Sequence, residues 1–340
     1  MTRPLISIAI LNWNGVKHLQ TYLPSVLQTE YPNFEVVIID NASTDDSKSW
    51  VDSLKNEKIK WVQLQTNTGY AGGYYHGLKQ VPGDIICLLN SDVSVPPDWL
   101  NAVADAFEQD PMLGAAQPKI LADQQRTHFE YAGASGGWID RYGFPFTRGR
   151  IFTTVETDQG QYDDEAEVFW ASGACLFVRR SWYLQAGELD PDFFAHMEEI
   201  DLCWRMHRVG AKVKVIPTST VYHLGGGTLN YGSPFKTYLN FRNSYYCLWK
   251  NLHPAERSPK VLTHLVLDAV AGMKFLVEGY PKHTWAIVRA HWAFFRKMSE
   301  LDQKKAGTPL KMRQIPGTYA RSVVWKFYAE GKKTFRALFS

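Results

Sequence analysis

What the chain lacks narrows its class before any motif is read. No run of about 18 uncharged apolar residues occurs, so no membrane-spanning helix is expected. Met1-Thr2-Arg3-Pro4 leads directly into a short apolar run, too brief for a secretory h-region and cleavage site, and a cytoplasmic protein is expected. Cysteine is scarce. Cys87, Cys175, Cys203 and Cys247 sit in apolar contexts outside any C-x-x-C pair, which predicts buried, reduced thiols in a reducing compartment. In such a compartment the acceptor tripeptide Asn41-Ala42-Ser43 is a chance match to a glycosylation signal. Internal repeats, low-complexity linkers and recognised nucleic-acid-binding motifs are absent, and no nucleic-acid partner is expected.

What is present is core. Of 340 residues, 45% are hydrophobic and 14% aromatic, enough for one large domain or two modest ones. The net charge of +3 conceals an asymmetry. From Phe235 to the end there are 19 Lys and Arg against 6 Asp and Glu, whereas the first 234 residues carry 18 against 28. Two parts with different partners are expected: residues 1–234, and a basic, aromatic helical region over 235–340. The latter is read either as a layer on a membrane surface or as a helical subdomain packed on the first part.

Short apolar runs alternate with helical spacing through the first third. Ile6–Leu11, Val36–Ile39, Lys60–Leu64 and Ile85–Leu89 read as strands. Val16–Leu27, the segment around Trp50–Leu54, the segment up to Gln80 and the stretch from Pro96 to about Gln109 read as helices. This is the βαβ pattern of an α/β fold with a mostly parallel sheet. In such sheets ligands bind beyond the carboxyl ends of the strands. Here those ends are Asn12, Asp40-Asn41, Asn67 and Asn90-Ser91-Asp92, all polar. Residues 123–165 read as long loops, Phe169–Val178 as an interrupted strand, Pro191–Arg208 as containing a helix, and Lys212–Ile216 and Thr220–His223 as two short strands. Gly225-Gly226-Gly227 reads as a loop.

Several residue types suggest chemistry. A buried carboxylate at a strand end is costly unless paired or coordinated, so Asp92 is a candidate ligand for Mg²⁺ or Mn²⁺; the alternative is an Asx turn into the following helix. His223, at another strand end, is a second candidate ligand, the alternative being a satisfied polar side chain. Of the acids Glu198, Glu199 and Asp201, helical geometry puts Asp201 beside Arg205 and turns Glu199 roughly 100° away from Glu198. Glu199 is therefore the candidate general base. Asn67-x-Gly69-x-x-Gly72-Gly73 resembles a phosphate-cradling loop, and Asp40 is placed to accept from a nucleobase imide.

These stretches, in this order, resemble the family 2 glycosyltransferases of the GT-A fold, and more narrowly bacterial rhamnosyltransferase-like members. The segments that carry the resemblance are Ile8–Asn14, Asp40–Asp45, Asn67–Gly73, Leu89–Asp92, Ala171–Ala174, Phe194–Arg205 and Val221–His223, roughly residues 5 to 230. It implies a GT-A sheet with flanking helices, plus a C-terminal helical region that matches no family motif. It also implies that Asn12, Asp40, Asn41, Asn67, Gly69, Gly72, Gly73, Asn90, Ser91 and Asp92 line a pocket for a thymidine or uridine diphosphate sugar. Asp92 matches the last acid of the family's D-x-D metal motif, whose first acid is Asn90 here, and His223 matches a metal-ligating histidine. Glu199 stands where many relatives carry Asp. Trp170, Ser172, Gly173, His196 and Glu198 fall on the side of the acceptor, a glycan or lipid-linked saccharide. Trp138, Tyr142 and Phe144 are expected to stack on sugar faces, and the Gly225–Gly227 loop to close over the donor. The function implied is inverting, metal-assisted sugar transfer at the inner face of the plasma membrane. Two rivals are a nucleotidyltransferase, disfavoured because Asn12–Val16 holds no cation for a triphosphate, and a non-catalytic nucleotide-sugar-binding or membrane-docking protein.

Overall fold

The structure is a computed structural model that describes residues 3–225 and 232–340. Its first half follows the alternation read from the apolar runs: β1 (Ile6–Asn12), α1 (Val16–Leu27), β2 (Phe34–Asp40), α2 (Ser47–Ser53), β3 (Ile59–Gln63), α3 (Gly69–Gly77), β4 (Ile85–Leu89), the two-residue β5 (Val93–Ser94) and α4 (Trp99–Gln109). Strand β2 is buried along its whole length because helices cover both faces, which is why it is a continuous apolar run rather than an alternation. Helix α1 buries Leu19, Tyr22, Leu23 and Val26, one stripe at helical spacing.

After α4 come β6 (Leu113–Ala122), β7 (Gln125–Phe129), β8 (Gly137–Asp140), β9 (Pro145–Thr147), β10 (Arg150–Ile151), β11 (Thr154–Val155), β12 (Ala166–Glu167), β13 (Cys175–Arg179), α5 (Arg180–Gln185), α6 (Glu198–Arg208) and β14 (Lys212–His223). The main sheet runs β12-β14-β6-β13-β4-β1-β2-β3. Strands β1 to β4 pair in parallel, but β13 lies antiparallel between β4 and β6, so the sheet is mixed. The segments 212–216 and 220–223 are one strand, not two. Its register against β6 shifts between Ile216 and Thr220, around Pro217, which has no N–H for the ladder.

Residues 123–165 are not only loops. β8 to β11 form a second small sheet, completed by β15 (Thr318–Tyr319) from far along the chain. Strands of two to four residues have no readable period, and the partner that closes this sheet is distant in sequence.

The C-terminal region consists of α7 (Pro234–Asn251), α8 (Pro254–Val277), α9 (Pro281–Gln303) and α10 (Val323–Tyr328). Gly279-Tyr280-Pro281 separates α8 from α9, with Gly279 at φ 82°. The core runs across residue 234. One cluster joins Ala9, Val37 and Trp204 to Tyr245, Phe294 and Leu301. Another joins Phe129, Phe146 and Tyr162 to Tyr319, Phe335 and Leu338. All four cysteines are buried free thiols, as expected from their apolar contexts. No helix among the described residues is long and apolar enough to cross a membrane.

Candidate active site

The polar strand ends meet at one edge. Asn12 and Asp40 are register partners on β1 and β2. The Asn12 amide donates to Asp40 Oδ1 (2.9 Å) and to Ser43 Oγ (3.1 Å). Asp40 Oδ2 accepts from the Ser43 amide (2.9 Å) and from Gln63 Nε2 (2.7 Å), a partner the sequence did not suggest. The buried Asn12 Oδ1 has no protein partner. Asn41 donates to Asn67 Oδ1 (2.9 Å) and to the Gly69 carbonyl (3.0 Å), and it accepts from the Thr68 amide (3.1 Å). It ties the end of β2 to the start of α3, and its amide is fully engaged, which leaves none for glycosylation.

The glycines of this segment are needed for close packing. A Cβ on Gly69, which has φ 74°, would lie 2.5 Å from Phe194; one on Gly73 would lie 2.7 Å from Leu11, and one on Gly72 would lie 2.7 Å from Thr68. The pattern read as a phosphate cradle thus also lets α3 sit against β1 and against the loop before α6.

A second cluster forms at the end of β4. His223 Nε2 is 3.1 Å from Asp92 Oδ1 and 3.3 Å from Asn90 Nδ2. Its Nδ1 is 3.4 Å from Glu130 Oε1. Glu130 is buried and anchored by the amides of Ala132 (2.6 Å) and Gly133 (3.2 Å). It was missed because it follows an exposed strand with no apolar signature; only the fold brings it to His223. Burial opposes charge on the imidazole, but the two carboxylates outweigh it and hold the pKa up at about 10. Burial likewise opposes charge on Asp92, yet the hydrogen bond and charge of His223 keep its carboxyl below the usual range. Ser91 lies in the turn between Asn90 and Asp92. Gly225 packs next to Glu130, while Gly226 and Gly227 of the expected lid lie outside the described residues.

The third component is the start of α6. The residues before it adopt positive φ without being glycine: Phe194 (64°), His196 (72°) and Met197 (72°). Such conformations persist only where the surroundings enforce them. Here α7 enforces them. Asn243, fully buried, donates to the carbonyls of Phe193 (2.9 Å), Ala195 (2.8 Å) and His196 (2.8 Å). Arg242 donates to the carbonyls of Asp192 (2.9 Å) and Phe193 (2.8 Å).

The three acids then separate by environment. Asp201 is saturated: it accepts from Arg205 Nε (2.9 Å), Lys250 (2.8 Å) and Asn251 (2.7 Å). Glu198 is buried, with Oε2 unpartnered, and burial together with the neighbouring Glu199 pushes its pKa well up. Glu199 is partly open, also has Oε2 unpartnered, and burial pushes its pKa up to about 7. His196 has a buried, unpartnered Nε2, and burial followed by the charge of Lys236 lowers its pKa to about 4, so the ring is neutral.

Tyr70 links the clusters. Its hydroxyl donates to the Gly173 carbonyl (2.6 Å), the ring feels the charges of Glu198 and Glu199, and the adjacent Ala71 amide donates to the Phe194 carbonyl (3.0 Å). The next carbonyl, that of Ala174, accepts from the Asn90 amide (3.0 Å). The aromatics near the expected acceptor side pack inward. Trp170 is buried and donates to the Trp138 carbonyl (3.0 Å), and Ser172 is buried and accepts from the Ala174 amide (3.2 Å). Trp138 packs edge-on against Phe335 and Phe339, and Phe144 stacks on His264 at 4.2 Å. Tyr142 gives its carbonyl to His264 (2.9 Å).

The family model described as "Glycosyl transferase family 2" matches residues 7–183. An N-acetylglucosaminyl-diphospho-decaprenol L-rhamnosyltransferase of Mycobacterium tuberculosis is 27% identical over 237 residues, 64% of this chain and 76% of that protein. S. aureus TarS 1-349, solved in complex with UDP-GlcNAc, superposes with a TM-score of 0.58 at 17% identity, over 88% of this chain and 84% of that one. GalNAc-T7, solved with UDP, GalNAc and Mn²⁺, gives a TM-score of 0.58 at 16% identity over 74% of this chain, which spans only 49% of that larger protein. At these identities the structural likenesses speak for the fold, a GT-A glycosyltransferase fold.

Proposed function

The chain belongs to glycosyl transferase family 2, and on that premise we propose that it moves a sugar from a uridine or thymidine diphosphate donor to a hydroxyl of a glycan or lipid-linked saccharide, with inversion. The observation that carries this reading is Glu199. It is the one acid of its helix turn that is only half-buried and that has an unpartnered oxygen, Oε2, with a proton affinity suited to exchange near neutral pH. In the proposed reaction its carboxylate takes the proton of the acceptor hydroxyl. The hydroxyl oxygen forms a bond to the anomeric carbon as the bond to the diphosphate breaks. A single displacement with no protein nucleophile inverts that carbon.

The strand-end network fits the donor. Asn12 Oδ1 is a buried acceptor in want of a donor, which a nucleobase imide supplies, with Asp40 beside it. Asn41, Asn67, Gly69, Gly72, Gly73, Asn90 and Ser91 would complete the pocket. On the acceptor side, His196 and Glu198 present unpartnered polar atoms. Trp170, Ser172 and Gly173 would shape its wall from behind. Rhamnose is favoured by the name of the mycobacterial relative, as is a lipid-linked acceptor. The latter would hold the enzyme at the inner face of the plasma membrane.

Asp92 and His223 fit a divalent cation that arrives with the diphosphate and takes the place of the proton that the two carboxylates hold on the His223 ring. Their donor atoms converge within 3.1 Å, with Asn90 alongside. Among the described residues no three His, Cys, Asp or Glu form a metal cluster, so phosphate oxygens and water would fill the remaining positions, as is usual for Mg²⁺ and Mn²⁺. When bound, Mn²⁺ or Mg²⁺ supplies positive charge against the leaving diphosphate. Glu130 would then orient the His223 ring from behind. Glu130→Ala is expected to weaken Mn²⁺ binding about 10- to 100-fold, measured by titration of the metal in the presence of uridine diphosphate. Unchanged affinity would remove His223 as an oriented ligand.

The overall reading is tested by thermal stabilisation with a panel of nucleoside diphosphates and nucleotide sugars, with and without Mn²⁺. A metal-dependent rise in Tm with uridine or thymidine diphosphate is expected, and the best sugar nominates the donor. No rise with any of them would favour the non-catalytic reading.

A further inference from the structure

We propose that the outer face of the α8–α9 hairpin docks on an anionic lipid bilayer. On α8, Leu262, Val266, Val270, Met273 and Val277 recur at helical spacing, and all are exposed, Val277 to 82%. On α9, Trp285, Val288, Trp292 and Phe295 do the same, with each tryptophan 62% exposed. A water-facing helix of a monomer does not carry such stripes.

The two stripes are one surface. The helices meet through Thr284 Oγ1, which donates to the Gly272 carbonyl (2.8 Å), and through His291, which contacts Asp268 (2.9 Å). Around the helix axes these contacts lie about 140° from the middle of the apolar stripe on α8 and about 70° from it on α9, in the same sense of rotation. In an antiparallel pair, the direction of that rotation turns both stripes to the same side. Tyr280 is exposed at the tip.

The composition selects the occupant. Trp and Tyr favour a membrane–water boundary, where ring and N–H or O–H find different surroundings. Lys282, Arg289 and Arg296 form a row along the far edge of α9. The contacts of the two arginines are to rings rather than carboxylates: Arg289 lies 5.2 Å from the Tyr238 ring and Arg296 lies 4.5 Å from that of Trp292. The exposed acids nearby, Glu278 and Glu300, already face Lys274 and Lys297. The row is free to meet lipid phosphates, whereas a second copy of the chain would bring cation against cation.

The face also leads to the candidate active site. A groove lined by Trp285, Arg289, Tyr238 and Phe235 continues it. Phe235 lies 5.8 Å from Phe194, ring to ring, and Phe194 opens the strained segment before Glu198 and Glu199. A docked hairpin would bring that segment near the headgroup layer, where a lipid-linked saccharide is presented.

The test uses the full chain in flotation with two kinds of vesicle: phosphatidylglycerol with phosphatidylethanolamine, and phosphatidylcholine alone. Binding to the anionic vesicles is expected, weakened at least about tenfold on phosphatidylcholine or in high salt. Trp285→Ser with Trp292→Ser should abolish it. Arg289→Glu with Arg296→Glu should leave only weak, salt-insensitive binding. Circular dichroism and unchanged Tm would show that these surface variants fold. Vesicle binding needs no donor, so it reports separately from the transfer reading. No binding to either vesicle, binding that the tryptophan variants leave intact, or a dimer in solution that they dissolve would each overturn the proposal.

Discussion

Glu199→Gln is expected to lower the rate of sugar transfer by about 10²- to 10⁴-fold while leaving donor affinity unchanged. The amide keeps the shape of the side chain but cannot take a proton. In the native protein the Glu199 carboxyl is pushed up to about 7, first by burial, so kcat/KM should climb about tenfold per pH unit below that value and level off above it. The variant should lose this limb. Glu198→Gln is the control. Its carboxyl is held well above the usual range, first by burial and then by the charge of Glu199, and in the proposed reaction it takes no proton, so the limb should survive. Initial rates against pH for the three proteins decide the matter. A limb that persists in Glu199→Gln would remove Glu199 as the base. The same shift has a consequence for stability. A carboxyl with a raised pKa keeps a proton in the folded state that the unfolded chain has already released. Stability therefore falls as pH rises from the ordinary carboxyl range through about 7. Glu199→Gln should then be the more stable protein above neutrality, the expected trade between activity and stability if this carboxylate is the base.

Lys250→Met is expected to destabilise the fold by about 3–5 kcal/mol. Lys250 is 1% exposed, and its ammonium lies 2.8 Å from Asp190 Oδ2 and 2.8 Å from Asp201 Oδ2. Arg205 and Asn251 also hold Asp201, and Lys304 also reaches Asp190 (2.8 Å). Burial opposes charge on Asp190, yet Lys250 and Lys304 keep its carboxyl far below the usual range. Methionine fills the volume but leaves two buried carboxylates short of a cation. The sign with pH follows. The depressed carboxyl contributes stability above its unfolded pKa and loses it as pH falls through the folded value. In the variant the Asp190 carboxylate protonates at higher pH, so the gap between the two proteins should narrow on acidification. Urea unfolding at pH 7 and at pH 4 measures this. A variant as stable as the native protein at pH 7 would show that the network tolerates the uncompensated charge. The loss should also reach activity, because Asp201 lies two residues from Glu199 on α6.

Local chemistry wrote much of this molecule in readable form. The parallel strands β1, β2 and β4 were legible because burial on both faces demands continuous β-branched and leucine runs, whereas the edge strand β3 buries only Val62. Their polar ends were legible as one edge because parallel strands finish on the same side. The separation of Asp201 from Glu199 was legible from helical spacing, and the salt bridge to Arg205 follows it. Glu130 was not legible, because nothing in its own segment marks it; β14 carries His223 across the sheet to meet it. Nor were Asn243, Arg242 and Lys250. They stand on a helix whose spacing announces only an aromatic stripe, while their polar atoms stabilise a loop and an acid some fifty residues earlier. The small sheet closed by Thr318–Tyr319 was hidden for the same reason.

The sequence by itself determined the α/β class, the strand-end polar edge, the buried thiols and the separation of Glu199 from the Asp201–Arg205 pair on α6. Each of these depends on periodicity or on neighbours a few residues away. Only the tertiary structure decided that β13 runs against its neighbours and that Glu130 backs His223. The same is true of α7 bracing the loop before α6 and of two modest amphipathic helices combining into one exposed apolar face. Those features depend on pairs of residues tens to hundreds of positions apart, and no local pattern encodes which distant partner a side chain will meet.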